Sequence, residues 1–308
     1  MRYLSLTLRL ARICCPVVLL FARATPVRAL EADYPTRFQA ANNAHDPKQA
    51  ATVLKEWQAA HPDDPEYFIA AANFLLDRER DVSVSTKAAG PTDFVIADAS
   101  GQKVGSISAA TPSAATYHKA IELLKEGLSK APGRVDIHLG LATLYQESGA
   151  TDELVKQLAQ MAAYANEHPQ DLRCKGNEPY PGPAREELSH KISNVARHYF
   201  GLETKEGDET FRRLAQLDID AFPDREYGYN LMGVYYSAIE KDPRRALENF
   251  EQALKLVPDD SLVLTNVGVL QSMAGDKEAA IAAFNKVITL NNDPESVRQA
   301  QAHLAKLK

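Results

Sequence analysis

The sequence predicts an all-α fold: helix pairs stacked into a solenoid, interrupted by one inserted β-hairpin. Three observations point to it. Apolar residues return every three or four positions, as at Leu247, Phe250, Leu254 and Val257, which puts them on one face of a helix. A spacing of 4, 3 and 5 residues recurs in Ala50, Leu54, Trp57, Pro62; in Ala120, Leu124, Gly127, Pro132; in Ala246, Phe250, Ala253, Pro258; and in Ala280, Phe284, Val287, Asn292. The closing positions are near-periodic: Pro223, Pro258 and Asn292 lie 35 and 34 residues apart, and Pro132 and Pro169 lie 37 apart. Self-similarity at this period is the mark of a stacked-repeat architecture.

The chain opens with a secretory-type segment, residues 1–29. Arg2, Arg9 and Arg12 precede an apolar run from Ile13 to Ala22, and small residues follow at Ala24 and Ala29. That run would span only about 15 Å as a helix, half of a bilayer core, so it reads as a cleavable signal peptide rather than an anchor. Cleavage is expected after Ala29 or Ala24, with a secreted or periplasmic destination. Removal of residues 1–29 takes away five arginines and no acid, shifting the net charge from −6 to −11. This acidic balance is the wrong sign for a general nucleic-acid binder. It also leaves Cys174 as the single remaining cysteine, so helix packing and not a disulfide must hold the fold. Cys174 is expected to lie buried against a crossover loop. No later stretch reaches membrane-spanning length, so stable membrane insertion of the mature chain is not expected.

Residues 30–308 form the helical-repeat domain, with about six units between 31 and 294. Two intervals are too long. Pro62 to Pro132 is 70 residues, one repeat plus about 36 more. The surplus, near 80–112, changes character: Asp81-Val-Ser-Val-Ser85 alternates, and Phe94-Val-Ile-Ala97 and Lys103-Val-Gly-Ser-Ile107 flank an Asp/Gly turn. This reads as a β-hairpin placed between the helices of the second unit. Pro169 to Pro223 is 54 residues, and its surplus includes a loop near 170–184 holding three prolines and two glycines, a composition that excludes a regular helix. The fourth unit that follows keeps only the helical spacing, at Phe211 and Ala215. Asp152, Asp208 and Asp276 are expected as helix N-caps. Residues 295–307 form a last helix, polar enough through Gln299, Gln301, His303 and Lys306 to cap the stack toward water.

The C-terminal units carry more than spacing. Gly233 and Gly268 stand in matching places, as do Ala246 and Ala280, and Phe250 and Phe284; Gly140 falls eight residues after Pro132. This pattern resembles the tetratricopeptide repeat, a helix–turn–helix unit. Its contact glycine corresponds to Gly140, Gly233 and Gly268, its small residue to Ala246 and Ala280, and its large aromatic to Phe250 and Phe284. Gln271 and Asn292 depart from it. The resemblance implies a right-handed superhelix whose concave face is lined by the first helix of each unit, and a protein or peptide partner in that groove. It points to Tyr227, Tyr229, Asn230, Asn266 and Gln271 as candidate partner-binding residues. The basic residues that clamp a terminal carboxylate in one branch of the family have no counterpart here.

Catalytic and cofactor chemistry has little sequence support. The eight histidines are scattered, with no His-Glu-x-x-His pair, and neither a Gly-Lys-Ser/Thr phosphate loop nor a Gly-x-Ser-x-Gly elbow occurs. Glu186-Glu187 and Asp259-Asp260 are adjacent in sequence and read as solvated helix starts rather than a substrate-spaced acid pair. The expectation is a non-enzymatic scaffold or adaptor without cofactor or metal. A glycan- or peptidoglycan-associated module is the alternative, and a hydrolase with an unrecognised groove site is further off.

Overall fold

A computed structural model describes residues 33–80, 82–85, 94–98 and 102–307. The expected signal segment, 1–29, lies outside them. Helices follow one another as antiparallel neighbours: α1 (Tyr34–Asn43) with α2 (Pro47–Ala60), α3 (Pro65–Asp77) with α4 (Ala114–Lys130), and α5 (Val135–Glu147) with α6 (Thr151–Glu167). Then come α7 (Ala184–Phe200) with α8 (Lys205–Ala221), α9 (Tyr227–Val234) with α10 (Pro243–Leu256), and α11 (Ser261–Met273) with α12 (Lys277–Leu290), closed by α13 (Pro294–Leu307). Each helix also packs on the one before it, and the buried apolar side chains form four clusters joined through half-buried neighbours such as Leu123, Val234 and Leu254. Phe211 and Ala215 of the weakly patterned fourth pair are buried in it.

Helix starts follow a local rule. Asp46, Asp64 and Asp242 each cap a helix whose first residue is proline, and their carboxylates accept backbone N–H groups at 2.9–3.1 Å. Asp260 and Asp276 do the same for α11 and α12. The expectation for Asp152 and Asp208 is corrected. The caps there are Ala150 and Thr204, and both aspartates sit inside the first turn. Asp152 is turned outward to Arg213 of α8 (2.6 Å), and Asp208 lies four residues beyond the Thr204 hydroxyl that already takes the Gly207 N–H. Both still face the positive end of the helix dipole.

The insert between α3 and α4 is a three-stranded antiparallel sheet: β1 (Val82–Ser85), β2 (Phe94–Ala97) and β3 (Lys103–Ala109), in the order β1-β3-β2. The expected hairpin is β2–β3, closed where Asp98 and Gln102 exchange two hydrogen bonds of 2.9 and 3.0 Å. The alternating segment before it adds the third strand, on the far side of β3. α3 and α4 pack directly on each other despite the excursion. Its neck is tied at Glu79, which accepts the Ser113 N–H and the Thr116 hydroxyl, both at 2.6 Å.

The loop between α6 and α7 is equally well tied. Arg173 exchanges backbone bonds with Gly133 and Val135 (2.8 and 3.0 Å), and a 3-10 turn follows over Lys175–Asn177. There Gly176, in the left-handed region at φ 73°, donates its N–H to Glu66 at 2.6 Å. Glu66 also takes Arg134, whose side chain is 1% exposed and meets Asp136 through two more bonds. One buried guanidinium thus joins α3, α5 and the loop. Cys174 is half-buried within the loop itself rather than buried against it, its thiol directed at the Glu178 and Pro179 carbonyls.

Candidate binding face

The two C-terminal pairs are built on glycine–phenylalanine contacts. A Cβ on Gly233 would lie 2.4 Å from Cε1 of Phe250, and one on Gly268 would lie 2.7 Å from Cε1 of Phe284. The rings of the second helices therefore sit directly on the backbone of α9 and α11. Ala246 and Ala280 are fully buried beside them. Gly140 differs. Its nearest neighbour is Cδ1 of Leu124, at 3.3 Å, on the preceding pair's second helix. The fifth pair's first helix does not end cleanly: a π-helical turn over Tyr235–Glu240 follows α9, and Lys241 takes the left-handed conformation.

The first helices α7, α9 and α11 bring some of the sequence-derived candidates together. Asn266 of α11 donates its amide to Asn230 Oδ1 of α9 at 2.8 Å. Asn230 is 6% exposed, so it serves to join the helices, while Asn266 stays half-exposed. Tyr227, at the start of α9, lies against His190 of α7 with ring centroids 5.3 Å apart. Asn194, one turn on, is 3.4 Å from the His190 ring nitrogen. Tyr229, half-buried, packs against the Phe250 cluster. Gln271 is half-buried at the far end of α11, beside the turn that its own carbonyl closes.

The electrostatics around Tyr227 were not read from the sequence. Burial pushes the Tyr227 hydroxyl's pKa up, and Glu226, Glu186 and Asp260 push it further. Burial, then Asp260 and Glu186, raises Glu226 above the usual carboxylate range, partly opposed by Arg225. His190 is held below its ordinary value by burial, then by Arg197 and Lys191. Beneath them Asp218 of α8 is 1% exposed; Oδ2 accepts the Ser189 hydroxyl of α7 at 2.9 Å, and Oδ1 has no hydrogen-bond partner. Burial pushes its carboxyl up to about 7, against the Ser189 bond, with Glu226 adding to the rise. The sequence held a signal for Asp218: Phe211, Leu214, Ala215 and Phe222 make an apolar stripe, and Asp218 is the acid within it. For Glu226 there was none beyond its place next to Tyr227. Among the described residues no group of three or more His, Cys, Asp or Glu is placed to hold a metal ion. No helix there is long and apolar enough to cross a membrane.

Stacked antiparallel pairs with a glycine–aromatic contact at the centre of a pair define a helical-repeat protein. Residues 113–172 and 240–296 match family models described as tetratricopeptide repeat, and the fold is an all-α, tetratricopeptide-like solenoid of helix pairs. A 92-residue stretch is 29% identical to the photosystem I assembly protein Ycf3 of Rippkaea orientalis; it takes in 27% of this chain and 53% of that relative, so the chain spans about half the length of the curated relative it matches. Among solved structures, pilF of Pseudomonas aeruginosa aligns over 88% of this chain and 96% of its own (10% identity, TM-score 0.39). YrrB, described as a TPR protein with an unusual peptide-binding site, aligns over 81% and 97% (11% identity, TM-score 0.40).

Proposed function

We propose that the protein is a non-enzymatic scaffold that binds a protein or peptide segment along the face made by its first helices, around α7, α9 and α11. The observation that carries this reading is the run of polar and aromatic groups on successive first helices, the exposed His190 and Asn194, then the half-exposed Tyr227 and Asn266. The Asn266–Asn230 bond fixes α9 and α11 relative to each other. An amphipathic ring held by neighbouring helices can be buried by a partner at little cost in lost side-chain freedom. Selection from a displayed library of random peptides, followed by affinity measurement of the recovered sequences, tests it. Tyr227→Ala is expected to weaken a selected peptide about tenfold or more. Recovery of no specific peptide, or equal binding by Tyr227→Ala and Asn266→Leu, would overturn the assignment.

We further propose that the protein works in an exported compartment, the periplasm. The basic start, the short apolar run and the small residues of segment 1–29 support this. N-terminal sequencing of protein recovered from a periplasmic fraction is expected to begin at Leu30 or Thr25. Recovery from the cytosol with Met1 or Arg2 intact would count against it.

A further inference from the structure

The buried carboxyl of Asp218 sits where three helices meet. Ser189 reaches it from α7, and α9 lies on the other side. Gly228 brings the first turn of α9 directly onto α8: any Cβ there would lie 2.8 Å from the Ile219 backbone nitrogen and 3.1 Å from the Ala215 carbonyl oxygen. No side chain can act as a spacer at this contact. Asp218 is enclosed by it, and Oδ1 has no hydrogen-bond partner there. An ionised carboxylate in such a place lacks the donors it would have in water, whereas a protonated one needs far fewer.

We propose that the joint between the fourth and fifth helix pairs is proton-linked: it closes on a protonated Asp218 and releases that proton to water as it opens, so the alignment of α7 with α9 follows pH. The groups around it favour this. From α9, Glu226 opposes a second negative charge, and Asp260 at the start of α11 and Glu186 on α7 hold Glu226 itself in an acidic surrounding. Arg225 favours a charged Glu226, and it also lies 3.8 Å from Asp224. His190, on α7 one residue from Ser189, is disfavoured as a cation. Against protonation stand the Ser189 hydroxyl and, as a nearby dipole that makes no hydrogen bond to Oδ1, the Gly228 N–H; burial outweighs both. As regulation of the binding face, the proposal rests on the function assigned above; the hinge itself is measured without a peptide, so the two can fail separately.

The sign follows from linkage. A carboxyl whose closed-state pKa is raised from 3.8 to about 7 stabilises the closed joint fully below the lower value and loses that contribution as pH rises through the higher. One linked proton makes the opening constant rise about tenfold per pH unit between those limits and level off above them. Hydrogen exchange of the α8 and α9 amides in the full chain, corrected for intrinsic exchange and compared at pH 5, 6, 7 and 8, reads this directly. Wild type should show the rise and then the plateau. Asp218→Asn, which keeps the shape but cannot ionise, should lack the rise. Ser189→Ala removes a group that favours ionisation and should move the plateau to higher pH. An infrared difference spectrum should show a carboxylic-acid carbonyl stretch at pH 6 that Asp218→Asn lacks. Parallel pH profiles for wild type and Asp218→Asn, or no such stretch, would overturn the proposal.

Discussion

Adding one methyl group at three glycines should give two different signs. In a helix interior, Gly→Ala contributes about 0.5–1 kcal/mol by restricting the unfolded chain. At Gly140 the new Cβ meets only Cδ1 of Leu124, at 3.3 Å, the far end of a flexible side chain. Gly140→Ala should therefore be neutral or stabilising by a few tenths of a kcal/mol or more. At Gly233 the Cβ would lie 2.4, 2.5 and 2.9 Å from three atoms of the Phe250 ring, which is 1% exposed and has no room to retreat. Relieving that overlap needs a shift of more than about 1 Å to reach ordinary carbon–carbon contact. Overpacking of this kind costs about 1–3 kcal/mol, which exceeds the propensity gain and leaves a net loss of about 0.5–2 kcal/mol. Gly268→Ala should fall just short of that, because its closest ring atom would be 2.7 Å away. Urea unfolding of the three variants, followed by helical circular dichroism, reads the order from the midpoints. Equal midpoints for Gly140→Ala and Gly233→Ala would refute the argument that ring-on-backbone contacts set the spacing within the C-terminal pairs.

Three further outcomes are expected. Arg134→Met leaves Glu66 and Asp136 without their buried partner and should cost about 3 kcal/mol or more; limited proteolysis should then cut faster within 171–184, and an unchanged cleavage rate would separate the loop from this ion-pair group. His138 is 5% exposed between the Pro132 carbonyl (3.0 Å) and Gln157 (2.6 Å), and burial lowers its pKa below 6.5. Its contribution is thus present above about pH 6.5 and lost as pH falls through the lowered value, so His138→Gln should show a smaller loss of melting temperature than wild type on acidification. Replacing residues 81–111 by a short linker should keep most of the helical circular dichroism, since α3 and α4 touch directly; loss of the helical signal would make the sheet part of the core.

What the sequence exposes and what it hides divides along physical lines. Helices, pair boundaries and the long loop rest on period, proline and glycine, all local properties, while the contact role of Gly233 and Gly268 came from the resemblance to the tetratricopeptide repeat. The hairpin was legible from its turn and the β1 segment showed as the alternation at 81–85, but its pairing with β3 was not, because strand order depends on contacts between segments that spacing does not encode. Capping was partly legible: Asp276 does cap α12, whereas Asp152 and Asp208 lie near starts that Ala150 and Thr204 set. The binding face is the least legible. Sequence does not separate the roles of Asn230, Tyr229 and Asn266, and only packing reveals that the buried Asn230 joins two helices, while Tyr229 lies half-buried against the Phe250 cluster and Asn266 stays half-exposed. Asp218 and Glu226 gain their altered acidity from neighbours on other helices.

The knot of bonds at the neck of the inserted sheet has a consequence for how this chain can vary. With Glu79 holding Ser113 and Thr116, and Arg80 reaching Glu147 at 2.5 Å, the chain leaves and re-enters the stack at nearly the same place. Whatever lies beyond that doorway can lengthen, shorten or be exchanged for foreign sequence while the units on either side keep their register.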